Sequence, residues 1–218
     1  MASKKTAGLF DFDGTLARGD SALPFVLHTF RRHPRAIVEF PRLAALTPPY
    51  GLGLVTKKRI KNAMLKILKH VPPKKRDELV ESFFTEVIRP RYFEAGLERV
   101  EWHRQRGDIL IMATASVDFY MQRVADDLGF DVLVATRCVV EPVPTIIGAN
   151  CFGEEKVRRL KELELFEQID WPGSWAYSDH VSDLPIMELC GQRMATTPSR
   201  ALARHARREG WPVVDWSR

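Results

Sequence analysis

An apolar run, Ala7-Gly8-Leu9-Phe10, leads directly into Asp11-Phe12-Asp13-Gly14-Thr15. No other junction constrains the fold of this chain as tightly. A short apolar run closed by a turn signal reads as a strand buried on both faces. Two carboxylates two residues apart at its C-terminal end can both point into the crevice of an open α/β sheet. Gly14 then lets the chain turn away, since it has no side chain to oppose a φ > 0 bend. The pair offers a nucleophile, a second carboxylate for proton transfer, and oxygens for a hard cation. Read alone, the same residues also make a solvated turn.

The remaining pattern extends this reading. Helix 97–105, a turn at Gly107, strand 109–113, helix 117–128 and strand 132–135 follow one another. A hairpin within 137–152, helix 154–164, strand 174–178, helix 182–190 and helix 199–208 complete the series. Strands alternating with helices predict a parallel sheet covered on both faces. The stretch between the first strand and Gly96 breaks the alternation. It carries amphipathic helices near 21–30, 57–69 and 79–88, separated by a proline-broken loop through Pro34, Pro41, Pro48 and Pro49. The predicted fold class is therefore α/β, a doubly wound parallel sheet with an inserted helical cap. Residues 1–16 and 96–218 form the core and 17–95 the cap.

Charge and cysteine content narrow the function classes. Thirteen Lys or Arg and one acid, Glu39, lie between Arg31 and Arg76, a local +12. The whole chain is +5, so the rest carries −7. A basic insertion on an acidic body suits an anionic substrate or surface, or else simply solvates helix faces. It lacks the aromatic interleaving of a single-strand binder, so no nucleic-acid partner is expected. Cys138, Cys151 and Cys190 are odd in number and show no CxxC spacing, which predicts reduced thiols in a cytoplasmic protein and no zinc site. Met1 to Thr6 is polar and precedes no long apolar region, so no signal peptide is expected. Residues 36–55 are apolar in part, but Glu39, Arg42 and three prolines argue against a spanning helix.

Three later segments join the first in a recognisable order. Asp108-Ile109-Leu110-Ile111-Met112-Ala113-Thr114-Ala115-Ser116 is an apolar strand ending in hydroxyls. Asn150-Cys151-Phe152-Gly153-Glu154-Glu155-Lys156 sets a lysine at the start of a helix. Trp175-Ala176-Tyr177-Ser178-Asp179-His180-Val181-Ser182-Asp183 is a strand ending in acids four apart. Together these motifs resemble the haloacid-dehalogenase-like phosphatases, and within them the phosphoserine-phosphatase-like subfamily. Cys151 to Val157 and Gly210-Trp211-Pro212-Val213-Val214 look most like the bacterial phosphatidylglycerophosphatase C group.

The resemblance implies a Mg²⁺-dependent phosphomonoesterase. Mg²⁺ would be held by Asp11, the backbone carbonyl of Asp13 and Asp179, with Asp183 supporting the site through water or through Lys156. Asp11 would attack phosphorus and Asp13 would serve as acid and then base. An aspartate at this second position indicates phosphatase or phosphomutase chemistry, since related pumps have threonine there. Thr114, with Ser116 beside it, would contact phosphoryl oxygens, and Lys156 would balance charge. Taken singly, Thr114 or Ser116 is a strand-end hydroxyl, Lys156 a surface helix lysine and Asp183 a helix N-terminal acid. Asp20 stands where phosphoserine phosphatases carry a substrate-reading glutamate, but it serves equally as a helix cap. Arg59 on the basic helix is a candidate cap contact to a substrate anion. The leading substrate is a phosphorylated glycerolipid, phosphatidylglycerophosphate, which implies peripheral contact with an anionic membrane at its inner face. The alternatives are a soluble metabolite such as phosphoserine or histidinol phosphate, or a non-catalytic binding protein using the basic segment.

Overall fold

The computed structural model describes residues 4–217. Met1 to Ser3 of the polar N-terminal stretch and Arg218 lie outside them. Six parallel strands form one sheet: β1 (Ala7–Phe10), β2 (Ile109–Val117), β3 (Val132–Thr136), β6 (Trp175–Ser178), β7 (Gln192–Thr196) and β8 (Val213–Val214). Their order is β3-β2-β1-β6-β7-β8, every pairing parallel. The chain builds outward from β1 in one direction and returns through β6 in the other. The switch point of this doubly wound sheet therefore lies between β1 and β6, where a crevice opens at the carboxyl ends of the strands.

Period-two alternation explains why these apolar runs settle as strands. Phe10, Leu110, Met112, Tyr177 and Met194 enter one apolar cluster. Their neighbours Leu9, Ile111, Ala113, Ala176 and Ala195 enter the cluster on the opposite face. The first face is covered by α5 (Glu94–Arg106) and α6 (Asp118–Asp127), the second by α7 (Glu154–Lys161), α8 (Leu184–Met187) and α9 (Arg200–Arg208). A buried chain of polar groups pins α5 to the sheet. Asp108 Oδ2 meets His103 Nδ1 at 2.7 Å, and His103 Nε2 meets the Tyr177 hydroxyl at 2.8 Å. Burial holds the His103 ring below its usual titration range.

Between β1 and α5 the regular elements are helices: α1 (Ala22–Arg32), α2 (Phe40–Gly51), α3 (Lys57–Leu65) and α4 (Arg76–Phe83), with short 3₁₀ and π turns. Phe25, Leu43, Leu65, Leu68, Leu79 and Phe83 join the cluster that includes Phe10 and Met112, so the insertion and one sheet face share a continuous apolar interior.

Several boundaries differ from expectation. The proline-rich stretch is not a loop: Pro48 and Pro49 sit in the last turn of α2. Proline lacks an N–H and clashes with the preceding turn, a cost confined here to a helix already ending. β2 runs on to Val117 instead of stopping at residue 113, with a register shift against β3 between Ala113 and Val117. The expected helix 182–190 is a 3₁₀ turn followed by the four residues of α8. β7, with Gln192 and Arg193 at its start, has no clear apolar run and is found only in the structure. The hairpin expected in 137–152 is present as β4 (Cys138–Val139) against β5 (Thr145–Ile146). Among the described residues, no helix is long and apolar enough to cross a membrane.

Candidate active site

A cavity of about 370 Å³ opens at the switch point. Asp11, Asp13, Thr114, Lys156, Asp179 and Asp183 all line it. The loop after β1 is built for this. Phe12 carbonyl accepts the amides of Thr15, Leu16 and Ala17, and Gly14 takes φ +81°. A Cβ on Gly14 would lie 2.4 Å from Asp179 Oδ2, so only glycine lets the loop come this close to the acid after β6. Thr15 fastens the two loops: its Oγ1 accepts the Asp179 amide at 3.0 Å and approaches Asp179 Oδ1 at 3.4 Å.

Lys156 is buried and bridges two carboxylates, 2.9 Å from Asp11 Oδ1 and 2.8 Å from Asp183 Oδ1. Ser178 Oγ donates to the other oxygen of Asp183 at 2.8 Å. Both Asp183 oxygens are thus engaged, one of them by Lys156. Burial alone would lower the lysine, but Asp11 and Asp183 outweigh it and hold its proton above the usual range. Asp11 is shifted well upward, by burial first, opposed by Lys156 and reinforced by Asp183 and Asp179. Asp179 is pushed up to about 6 by burial and then by Asp183.

Asp13 points to a different environment. Its Oδ2 accepts from Ser116 Oγ at 2.5 Å and from Ser21 Oγ at 3.0 Å. Ser21 in turn lies 3.0 Å from the Tyr120 hydroxyl. Burial raises the Asp13 carboxyl to about 6 against the lowering effect of the Ser116 bond, which suits a group that must both give and take a proton near neutrality. Thr114 Oγ1 accepts the Ser116 amide at 3.0 Å, which leaves its own hydrogen for a ligand in the cavity.

The other expected contacts divide. Asp20 Oδ1 accepts the amides of Ala22 at 2.8 Å and Leu23 at 3.4 Å, so it caps α1 while also lining the cavity. Ser116 is buried and spends its hydroxyl on Asp13. Arg59 does not line this cavity; it lies on the opposite face of α3, in a separate groove. Residues 57 and 61 take its place, because positions four apart share a helix face. Lys61 Nζ donates to the Ala115 carbonyl and, at 2.7 Å, to Asn150 Oδ1. Burial lowers this ammonium to about 8. Lys57 Nζ sits 2.9 Å above the centre of the Phe152 ring and is also lowered, chiefly by burial. From the sequence, Ser21 reads only as a possible cap of α1 and Lys57 and Lys61 only as members of a basic helix face, while Tyr120 carries no signal. The i, i+4 lysine spacing was visible, but α3 and its continuation carry too many cations for the spacing to select two. Cys151 is buried, and burial pushes its thiol up to about 11, far from a nucleophilic thiolate.

The donor chemistry fits a hard cation of the Mg²⁺ type. Among the described residues no three acid, His or Cys side chains form a cage. Mg²⁺ does not need one: it keeps several waters and binds through one or two carboxylates. Asp11 and Asp179 are carboxylates of the kind such an ion takes, both shifted upward by burial and by neighbouring acids, Asp183 above all, whose repulsion a cation would relieve.

Comparison with known proteins agrees with this geometry. A phosphoserine phosphatase of Mycobacterium tuberculosis is 27% identical over 96% of this chain and 70% of its own length. A histidinol-phosphatase of Neisseria meningitidis is 24% identical over 97% of this chain and 99% of its own. A solved structure of a protein with unknown function from Bordetella pertussis is 28% identical, covers 98% of this chain and 100% of its own, and superposes with a TM-score of 0.86. A substrate-bound phosphoserine phosphatase, 18% identical over 99% and 94% of the two chains, has the same fold with a TM-score of 0.66. The model of the haloacid dehalogenase-like hydrolases matches residues 9–188. With that match covering most of its length, and with relatives named as phosphatases, the chain belongs to the haloacid dehalogenase-like hydrolases and is a phosphatase of that family.

Proposed function

We propose that this phosphatase is a Mg²⁺-dependent phosphomonoesterase that transfers the phosphoryl group through Asp11, with the cap formed by residues 17–95. The observation that carries the reading is the contrast between two carboxylates on one loop. Asp11 is buried and held by Lys156, whereas Asp13 is held by hydroxyls and poised near pH 6. Bound Mg²⁺, held by Asp11, Asp179 and the Asp13 carbonyl, would neutralise phosphate charge. Asp11 attacks phosphorus in line and forms an aspartyl-phosphate as the bond to the alcohol oxygen breaks. Asp13 gives that oxygen its proton, then takes one from the water that attacks the acyl phosphate. Phosphate leaves and Asp11 is restored as a carboxylate. Thr114 donates to a phosphoryl oxygen, and Lys156 balances charge on the transferred group.

Lys57 and Lys61 favour an ester whose alcohol carries a second negative charge. Neither ammonium has a carboxylate partner in the hydrogen bonds of the site, and both face the cavity. Phosphatidylglycerophosphate has a phosphodiester to offer them and phosphoserine a carboxylate; histidinol phosphate has neither. The glycerolipid leads. It is supported by the likeness of Cys151 to Val157 and of Gly210 to Val214 to the phosphatidylglycerophosphatase C group, and by exposed apolar residues that neighbour the lining in sequence. Leu23, 61% exposed, follows the lining residue Ala22, and Leu54, 75% exposed, lies three residues before Lys57. Peripheral contact with an anionic membrane at its cytoplasmic face belongs to this reading. The test is turnover with and without metal. EDTA should abolish hydrolysis, Mg²⁺ should restore it, and a phosphorylated glycerolipid should be cleaved faster than phosphoserine. Full activity in EDTA would overturn the metal-dependent reading, and preference for phosphoserine would overturn the lipid.

A further inference from the structure

The face of α3 that turns away from the catalytic cavity is as basic as the face that lines it. Residues 58, 59, 62, 63 and 66 fall together on that far side, by the helical repeat of 3.6 residues. With α2 they enclose a groove of about 500 Å³. Arg42, Lys58, Arg59 and Lys66 bring four cations to it, Thr56 and Asn62 add polar groups, and no acid lines it. Arg59 and Lys66 make no side-chain hydrogen bond or ion pair with another described residue. Arg42 has only a distant one, 3.9 Å to Glu39, and Lys58 spends its ammonium on the Gly148 carbonyl. Four like charges converge here without the carboxylates that balance Lys156 in the catalytic site. The floor is apolar, formed by Ala45, Leu46 and Ala63.

We propose that this groove is a second oxyanion site, separate from the catalytic cavity and built for a phosphoryl group. Two guanidinium forks match the tetrahedral oxygens of a phosphate bidentately, and the two lysines add point charge. The ligand lies back to back with the substrate, with α3 as the shared wall. The helix is fixed to the hairpin on one flank, where Asn62 Oδ1 accepts the Ile146 amide at 2.7 Å. Charge neutralised on the far face therefore bears on the helix that carries Lys57 and Lys61. The same phosphoryl chemistry is offered by a free polyphosphate and by a lipid headgroup. Binding here does not depend on the catalytic reading.

The test uses full-length ¹⁵N-labelled protein and a variant carrying R42Q, R59Q and K66Q, all outside the catalytic cavity. In one arm inorganic pyrophosphate is titrated and the amides of Thr56, Arg59 and Lys66 are followed, apart from those of Asp11 and Thr114. In the other, sedimentation with phosphatidylglycerol vesicles is compared with phosphatidylcholine vesicles. The wild type should show a saturable response at the outer-face amides, weakened by salt, and the variant should bind about tenfold or more weakly. Hydrolysis of p-nitrophenyl phosphate should stay within about twofold, since these residues lie outside the catalytic cavity. A loss confined to the pyrophosphate arm identifies a soluble ligand, and a loss in the vesicle arm identifies a headgroup; both support the site. Equal binding by wild type and variant in both arms, or binding by neither, overturns it.

Discussion

Lys156 holds two buried carboxylates at once, and its removal separates structure from chemistry. Lys156→Met leaves Asp11 and Asp183 facing each other across the space the ammonium filled. Breaking a buried pair in this way costs about 3–5 kcal/mol, so the variant should melt lower than the wild type. Added Mg²⁺ should recover more stability in the variant than in the wild type, because a cation can replace part of the lost charge; thermal melts with and without Mg²⁺ measure this. Lys61 makes a prediction in pH. Its proton is held to about 8, so the ammonium is present below that pH and lost above it. For a substrate with a second anion, kcat/KM should fall as pH rises through 8. Lys61→Arg, which stays charged, should flatten that fall, and identical profiles would remove Lys61 from substrate recognition. At this scale the sequence was informative wherever a residue belonged to a strand end. Asp11, Asp13 and Asp179 follow the ends of β1 and β6, and Thr114 lies in β2 two residues past the partner of Phe10, so parallel register brings the four together. Lys61 reaches the cavity, and Ser21 with Tyr120 behind it reaches the Asp13 carboxyl, only through packing between elements, which no local pattern encodes.

At the scale of elements, α3 and the β4–β5 hairpin act as one wall. Asn62 accepts from the Ile146 amide and Thr145, Lys58 donates to Gly148 at 2.5 Å, and Lys61 reaches Asn150. Arg159 ties the same loop to the core through the carbonyls of Ala135 and Ala149, each at 2.6 Å. Asn62→Ala leaves the Ile146 amide without its acceptor, a loss of about 1–3 kcal/mol if it stays dry. Hydrogen exchange should then quicken at Thr145–Ile146 and in α3 while the amides of β1 and β2 keep their protection. Equal exchange in variant and wild type would show that the wall does not depend on Asn62. The elements themselves were legible to different degrees. β1, β2 and β6 are apolar runs and stood out. β7 begins with exposed Gln192 and half-buried Arg193, and gave no signal until pairing with β6 and β8 fixed it. α2 read as a loop because prolines argue against helix, yet Pro41 lies in its first turn, where an amide has no intrahelical partner, and Pro48 and Pro49 lie in its last, where the break they impose coincides with the helix end.

Across the whole molecule, the doubly wound topology gathers residues separated by some hundred and more positions into one crevice. Asp11 and Lys156 are 145 residues apart in sequence and in contact in space. The inserted helices add a second, cationic wall without disturbing the strand order, and they share the apolar interior on one sheet face. This division of labour made the chemical class readable from the sequence, whereas the substrate depends on the wall that packing assembles. The central claim is that phosphoryl transfer passes through Asp11 in two in-line displacements. The most direct test is the stereochemical course at phosphorus, followed with a monoester made chiral by oxygen isotopes. Each displacement inverts the centre, so two give overall retention. Retention in the released phosphate is the predicted result, and inversion, the mark of a single attack by water, would contradict the account.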